Sequence, residues 1–338
     1  MSLNNPSVAI VGATGAVGTE LITCLERRDF PLHDLRLFAT ARSAGRNLAF
    51  RGKGLRVMEL TENTLFDCDI ALFSAGASAS RRFVPEAVRQ GAVVVDNSSA
   101  YRMEPGVPLV VPEVNADAIA AHRGIIANPN CVAAIAAVPL WPLHREVGIT
   151  RIVAATYQAA SGAGAAALAE LRAATGAFLA GKDFTPSVLR HPYAFNLFSH
   201  DTAVDPASGA NAEEIKVVDE LRKIMQAPRL PIGITCIRVP VLRAHSIALT
   251  VELARAIEPD EARRILAAAP GVKTVDDREN NHFPMPSEAS GQGDLLVGRV
   301  RRDASDPTGR SLALLVAGDQ LLKGAALNAV QIAEHLVD

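Results

Sequence analysis

Through its first 130 residues the chain alternates short apolar runs with stretches in which apolar residues recur every three or four positions. Ser7–Val11 (SVAIV) opens the series, followed by Leu35–Phe38, Ile70–Phe73, Val93–Val95, Leu109–Val111 and Gly124–Ala127, each read as a strand. Between them, Leu21, Ile22 and Leu25 fall on one helical face, and Pro85–Gln90 and Ala116–His122 read as further helical turns. Uninterrupted apolar strands separated by helices predict an α/β domain over residues 1–130, a Rossmann-type doubly wound parallel sheet.

The pattern changes at Cys131. The stretch after it (VAAIAAVPL) has the apolar density of a buried helix, which Pro139 is expected to cap or kink after two turns. Arg151–Tyr157, Thr235–Val241, Ser246–Leu253 and Ser311–Val316 are longer and richer in β-branched residues. Two polar segments, Ser199–Asn211 and Asp276–Gly293, connect them. These runs predict an α+β catalytic and dimerisation domain over 131–318, with a mixed or largely antiparallel sheet and helices on one face. Leu327, Val330, Ala333 and Leu336 have helical spacing, so residues 319–338 are expected to form a terminal helix packing back on the first domain.

Composition narrows the function. A net charge of −2 over 338 residues gives no broad field for nucleic acid or a membrane surface, so an anionic substrate must be gripped by a few placed cations. No apolar run reaches the roughly 20 residues of a membrane span, and the N-terminus lacks the basic and apolar regions of a secretory leader. A reducing cytoplasm is therefore expected. Cys24, Cys68, Cys131 and Cys236 show no paired or metal-like spacing, so no metal is expected; Cys24 and Cys68 read as core fillers.

Two places carry chemistry. Residues Gly12–Gly18 (GATGAVG) follow a strand and open a helix, which suits a dinucleotide pyrophosphate at Gly12, Thr14, Gly15, Ala16 and Val17. At the end of the second strand there is no acid to accept ribose hydroxyls; Thr40, Arg42 and Ser43 suit a 2′-phosphate, so NADP is expected. The second place is Cys131, where GIIANPNC runs from a strand into a helix start. The positive end of a helix favours thiolate, the nucleophilic form; the alternative is a buried structural cysteine in a βα turn.

Several motifs in order (GATGAVG, TARSAG, DNSSAYR, VPLVVPEVN, NPNC, YQAASGAG and LLKGAALNAVQIAE) make the chain resemble the aspartate-semialdehyde dehydrogenase family nearly end to end. The resemblance implies a homodimer and the reversible NADPH-dependent conversion of β-aspartyl phosphate to aspartate semialdehyde and phosphate, a step towards lysine, methionine and threonine. It implies Cys131 as nucleophile, His245 as acid/base, Gln158 as orienting amide and Asn130 beside the oxyanion. Arg238 would hold the α-carboxylate, Glu213 the α-ammonium, and Lys216 and Arg102 the phosphate; Ser161, Gly162 and Gln320 resemble cofactor contacts. Apart from that likeness, Glu213 and Lys216 also suit a surface ion pair on a helix started by an Asn211/Glu214 capping box. On an uninterrupted strand Arg238 and His245 would point to opposite faces, but Pro240 predicts a bend between them.

Val132-Ala133 after the cysteine, Ala244 before the histidine and Gln320 after Asp319 depart from the family pattern. Ala244 would be strained if its φ is positive. These departures open an alternative reading, a Usg-type paralogue serving as a dimeric NADP-binding scaffold or sensor; a separate alternative is a sister reductase of N-acetyl-glutamyl phosphate, against which Glu213 beside Arg238 argues.

Overall fold

The structure is a computed structural model describing residues 3–337. The described residues divide into two compact units, 3–130 with 324–337 and 131–323.

The first unit begins with β1 (Ser7–Val11), α1 (Ala16–Arg27), β2 (Asp34–Ala39), β3 (Asn47–Phe50) and β4 (Lys53–Glu59). It continues with β5 (Ile70–Phe73), α2 (Ala77–Arg89), β6 (Val93–Asp96), α3 (Pro112–Asn115) and β7 (Ile125–Ala127). The sheet order is β3-β4-β2-β1-β5-β6-β7, parallel throughout except for the β3–β4 pair. Central strands β1 and β5 are apolar because both faces are covered, and β5 is buried along its whole length. The β3–β4 hairpin went unread in the sequence; it turns at Arg51 and Gly52, both at positive φ.

Two expectations needed correction here. Leu109–Val111 is an edge segment rather than a full strand, joined to β7 by one bridge from Leu109 to Ala127. Pro108 and Pro112 flank it and remove ladder donors. The turns expected at Ala116–His122 are 3₁₀, Ala116–Ala121.

The second unit starts at α4 (Cys131–Val147), then β8 (Ile149–Gln158), α5 (Ala165–Leu179), β9 (Phe198–Ser199), α6 (Ala212–Ile224), β10 (Ile232–Arg238) and β11 (His245–Leu253). It ends with α7 (Pro259–Ala267), β12 (Val272–Thr274), α8 (Pro286–Ala289), β13 (Leu295–Arg302) and β14 (Ser311–Gly318). Sheet order is β12-β13-β14-β11-β8-β10-β9, mixed, with β8–β10 and β12–β13 parallel. Pro139 does not stop α4: the helix runs through it and Pro142 to Val147. Twelve of its 17 residues are buried, and that packing offsets the ~3 kcal/mol an interior proline costs. β8 alternates, with Ile152, Ala154, Thr156 and Gln158 buried and Val153 and Tyr157 exposed on the other face.

After β14 the chain makes a π turn, Leu322–Ala326, and α9 (Leu327–Glu334) packs on α1 in the first unit. The terminal helix is thus shorter than the periodicity predicts, because wider turns replace its first residues.

Candidate active site

Strand register positions the candidate residues of the second unit. Gln158 ends β8 and pairs with Arg238, which ends the parallel strand β10. His245 opens the antiparallel neighbour β11, opposite Gly318 at the end of β14. One end of the sheet therefore carries Gln158, Arg238 and His245, followed beyond β14 by Asp319 and Gln320. Arg238 and His245 lie on separate strands, joined by a reversal through Pro240, so the opposite-face problem does not arise.

Cys131, the first residue of α4, brings its Sγ to 3.4 Å from His245 Nε2. A helix N-terminus favours the anionic form of such a sulfur. His245 is fully buried, and its Nδ1 accepts the Ala159 N–H at 2.9 Å. Burial, with Arg238 and His200 nearby, pushes this imidazole down to about 3, so it is neutral at physiological pH. By contrast, burial pushes the thiol of Cys236 up to about 12, which fits an inert core residue.

Arg238 is 5% exposed; its Nε donates to Asp201 Oδ1 at 3.4 Å, and its Nη1 has no partner among the described residues. A buried guanidinium nitrogen without an acceptor is costly, and an incoming carboxylate would satisfy it. Gly162 lies between the two key side chains: a Cβ there would sit 3.0 Å from His245 Cε1 and 3.3 Å from Arg238 Nη1. Gln158 is held at both ends, its Oε1 accepting from Thr156 Oγ1 at 3.0 Å and its Nε2 donating to Glu213 Oε1 at 3.2 Å. Glu213 is buried and reaches the half-exposed Lys216 at 3.9 Å across one turn of α6. The capping box of α6 is complete: Glu214 N–H donates to Asn211 Oδ1 at 3.0 Å, and Asn211 N–H to Glu214 Oε2 at 2.9 Å.

Ala244 has φ +70, so the expected strain is present. Its N–H donates to Gln320 Oε1 at 2.8 Å, and Gln320 Nε2 donates to the Ser161 hydroxyl. Two departures from the family pattern, Ala244 and Gln320, are therefore in contact. Asp319 secures the same loop, accepting from Arg243 Nε and from the Gly291 N–H, each at 2.6 Å.

Sequence reasoning missed His200, Asp201 and Thr202. His200 is buried, its imidazole pushed down by that burial; Asp201 pairs with Arg238, and Thr202 Oγ1 accepts the Glu213 N–H at 3.2 Å. Their signal was three adjacent polar, hydrogen-bonding residues (His-Asp-Thr) inside a segment read only as a polar connection.

The first unit carries the remaining residues. Gly12 has φ +88, and a Cβ there would lie 2.5 Å from the Ser74 carbonyl oxygen; a Cβ on Gly18 would strike the Gly12 carbonyl at 2.1 Å. The loop lies close against its surroundings, and no side chain caps the N-terminus of α1 after Gly15. This arrangement, including Thr14, Ala16 and Val17 at the helix start, fits a nucleotide pyrophosphate. Thr40 and Arg42 are exposed at the turn after β2, whereas Ser43 is buried; among the described residues Arg42 has no ion-pair partner. Arg102 is buried and donates from Nε to the Asn128 carbonyl at 2.9 Å and from Nη2 to the Asn97 carbonyl at 2.8 Å. Asn130 is also buried. Among the described residues no group of acidic, histidine or cysteine side chains could hold a metal ion, and no helix is long and apolar enough to cross a membrane.

The chain is similar to known proteins over nearly its whole length. The semialdehyde dehydrogenase NAD binding domain matches residues 7–122, and the semialdehyde dehydrogenase dimerisation domain matches residues 140–323. A protein from Synechocystis sp. named aspartate-semialdehyde dehydrogenase is 52% identical over 331 residues, covering 98% of this chain and 97% of its own length. One of the same name from Aquifex aeolicus is 46% identical over 335 residues, with coverage of 98% and 97%. The crystal structure of aspartate semialdehyde dehydrogenase II from Vibrio cholerae complexed with ASA superposes with a TM-score of 0.95 at 40% identity, covering 99% of this chain and 98% of that one. The chain belongs to the aspartate-semialdehyde dehydrogenase family.

Proposed function

We propose that this chain catalyses the reversible reductive dephosphorylation of β-aspartyl phosphate to aspartate semialdehyde with NADPH, through a thioester on Cys131. The observation that carries this reading is the pairing of Cys131 Sγ with His245 Nε2 at 3.4 Å, beside a buried Arg238 whose Nη1 lacks an acceptor. Cys131 attacks the acyl carbon and phosphate departs, leaving the thioester. NADPH, held at the Gly12–Gly18 loop with Arg42, Thr40 and Ser43 on its 2′-phosphate, supplies the hydride. Ser161, Gly162 and Gln320 complete the cofactor contacts. His245 stands at the reacting carbonyl oxygen with Asn130 as a second donor.

The substrate is gripped by charge. Arg238 takes the α-carboxylate on its free edge. Glu213, already buried and oriented by Gln158, takes the α-ammonium, which favours the free amino acid over an N-acetylated one. Lys216 and Arg102 hold the phosphate. The scaffold reading is not favoured, since the nucleophile and its partner are in place and the relatives carry the enzyme's name. The exposed Val153 and Tyr157 on the open face of the second sheet suit a homodimer contact in the dimerisation domain.

Purified protein given aspartate semialdehyde, phosphate and NADP is expected to form NADPH, with Cys131→Ser slower by about 100-fold or more. Equal rates for the two proteins would remove Cys131 from the chemistry, and turnover of the N-acetylated semialdehyde alone would move the chain to the sister reductases.

A further inference from the structure

We propose that Asp201 is a specificity-determining positioning residue. Its carboxylate occupies one edge of the Arg238 guanidinium, reserves the other for a substrate α-carboxylate, and so sets the preference for an aldehyde that carries that group. The assignment rests on Arg238 taking the α-carboxylate, as proposed above.

A guanidinium offers two forks, one along its side formed by Nε and Nη2, and one at its end formed by the two Nη atoms. Asp201 Oδ1 accepts from Nε at 3.4 Å, on the side fork. Nη1 belongs only to the end fork, and it is buried without an acceptor among the described residues. An arginine placed here only to close an internal ion pair would have its buried polar atoms satisfied. An unmet buried donor is costly, and an anion arriving at the end fork removes that cost. Nη1 also borders the chemistry: a Cβ on Gly162 would lie 3.3 Å from it and 3.1 Å from His245 Nε2, the ring atom beside the Cys131 sulfur.

The backbone gives Asp201 a fixed place from which to do this. β9 pairs antiparallel with β10, Phe198 opposite Arg238 and Ser199 opposite Ile237, and the His200 N–H donates to the Cys236 carbonyl at 2.8 Å. Immediately after Asp201, Thr202 Oγ1 accepts the Glu213 N–H at 3.2 Å, and the Ala203 carbonyl accepts the Ala212 N–H at 2.8 Å. Residues 200–203 therefore tie the end of β10, which carries Arg238, to the first turn of α6, which carries Glu213. Beyond Arg238, the Tyr193 hydroxyl donates to the Val239 carbonyl at 2.6 Å, and its ring packs edge-on against Phe198 with centroids 5.4 Å apart. With the backbone held on both sides, the freedom left to Arg238 is that of its long side chain. Holding Nε removes much of that freedom before substrate arrives.

Charge balance points the same way. Asp201 pairs with Arg238, and Glu213 with Lys216 one turn along α6, so the opposite charges cancel. A head group bearing both an α-carboxylate and an α-ammonium enters such a site without leaving a buried charge unopposed. Without Asp201 the guanidinium could turn its side fork to the carboxylate, away from the spacing that Glu213 requires.

The test compares aspartate semialdehyde with 3-aminopropanal, the same aldehyde without its α-carboxylate, each oxidised by the full-length protein with phosphate and NADP. Asp201→Ala is expected to raise KM for aspartate semialdehyde about tenfold with kcat within about threefold, and to leave kcat/KM for 3-aminopropanal within about twofold. Asp201→Asn keeps an acceptor for Nε and is expected to recover most of the lost preference. Losses of equal size on both aldehydes would mark a merely structural effect and overturn the proposal. An unchanged KM for aspartate semialdehyde in Asp201→Ala, or equal damage from alanine and asparagine, would overturn it too. If Asp201→Ala does not fold, Asp201→Glu carries the test: the charge stays, the side chain lengthens, and the preference is expected to fall about fivefold, an unchanged preference overturning the proposal. Arg238→Ala separates the two levels. Preference lost there but kept in Asp201→Ala would overturn the role of Asp201 alone, whereas preference kept in both would remove Arg238 from the carboxylate as well.

Discussion

A single methyl group at position 162 tests whether the Cys131–His245 contact drives the reaction. Gly162→Ala would place Cβ 3.0 Å from His245 Cε1, 3.1 Å from Nε2 and 3.3 Å from Arg238 Nη1. Carbon contacts settle near 3.5–4 Å, so the ring must retreat by about half an ångström. Being fully buried, the ring can make that shift only by displacing its packed neighbours. From the present 3.4 Å, that retreat takes Nε2 to about 4 Å from Sγ, where hydrogen bonding fades. A hydrogen bond to a charged group contributes about 1.5–3 kcal/mol, so kcat is expected to fall roughly 10- to 100-fold. Gly162 does not have the positive φ that excludes alanine, so the loss should not come from backbone strain. Steady-state kinetics at saturating NADPH, with NADPH affinity measured separately by titration, separate the two explanations. Unchanged kcat would refute the reasoning, as would a loss confined to NADPH affinity, since the methyl would then act on the cofactor.

Gln320→Ala removes the acceptor for the buried Ala244 N–H and should cost about 1–3 kcal/mol in urea unfolding; no change would show that the amide finds another partner. Arg42→Ala should weaken NADPH roughly 10-fold or more while leaving NADH nearly untouched, and equal losses in a cofactor titration would discard the 2′-phosphate assignment. The depressed imidazole of His245 makes stability depend on pH. Between about 6.5 and 3 the unfolded chain binds the proton and the folded chain does not, so this contribution is complete above 6.5 and declines as pH falls. From pH 7 to pH 5 that amounts to about 2 kcal/mol, and His245→Gln should show a correspondingly flatter acid limb in denaturant titrations.

Both the fold and the candidate chemistry were legible where local pattern and tertiary environment agree. Ser7–Val11 and Ile70–Phe73 were read with their observed ends because buried parallel strands are apolar at every position. The β3–β4 hairpin was hidden because its apolar positions, Leu48, Phe50, Leu55 and Val57, alternate with glycine, lysine, arginine and other small or polar residues. α4 was misjudged at Pro139 because the burial that offsets a proline is a tertiary property. Likewise, the segment holding His200 and Asp201 carries no periodicity; only its position beside β10 reveals that it supplies the partner of Arg238.

The departures near the chemistry read differently once they are seen together. Taken singly, Ala244 is a strained replacement and Gln320 a side chain one methylene too long. In space, Gln320 uses its length to span the Ala244 N–H and the Ser161 hydroxyl. The Ala244 methyl packs in a small cluster with Ala289, Leu296 and Ala317. Burial of one methyl contributes about 0.8 kcal/mol, close to the ~1 kcal/mol that left-handed backbone costs alanine. The pair therefore offsets its own strain and holds His245 at the start of β11, facing the sulfur. Two residues that share a hydrogen bond are energetically coupled, so changing either one alone is expected to cost more than changing both.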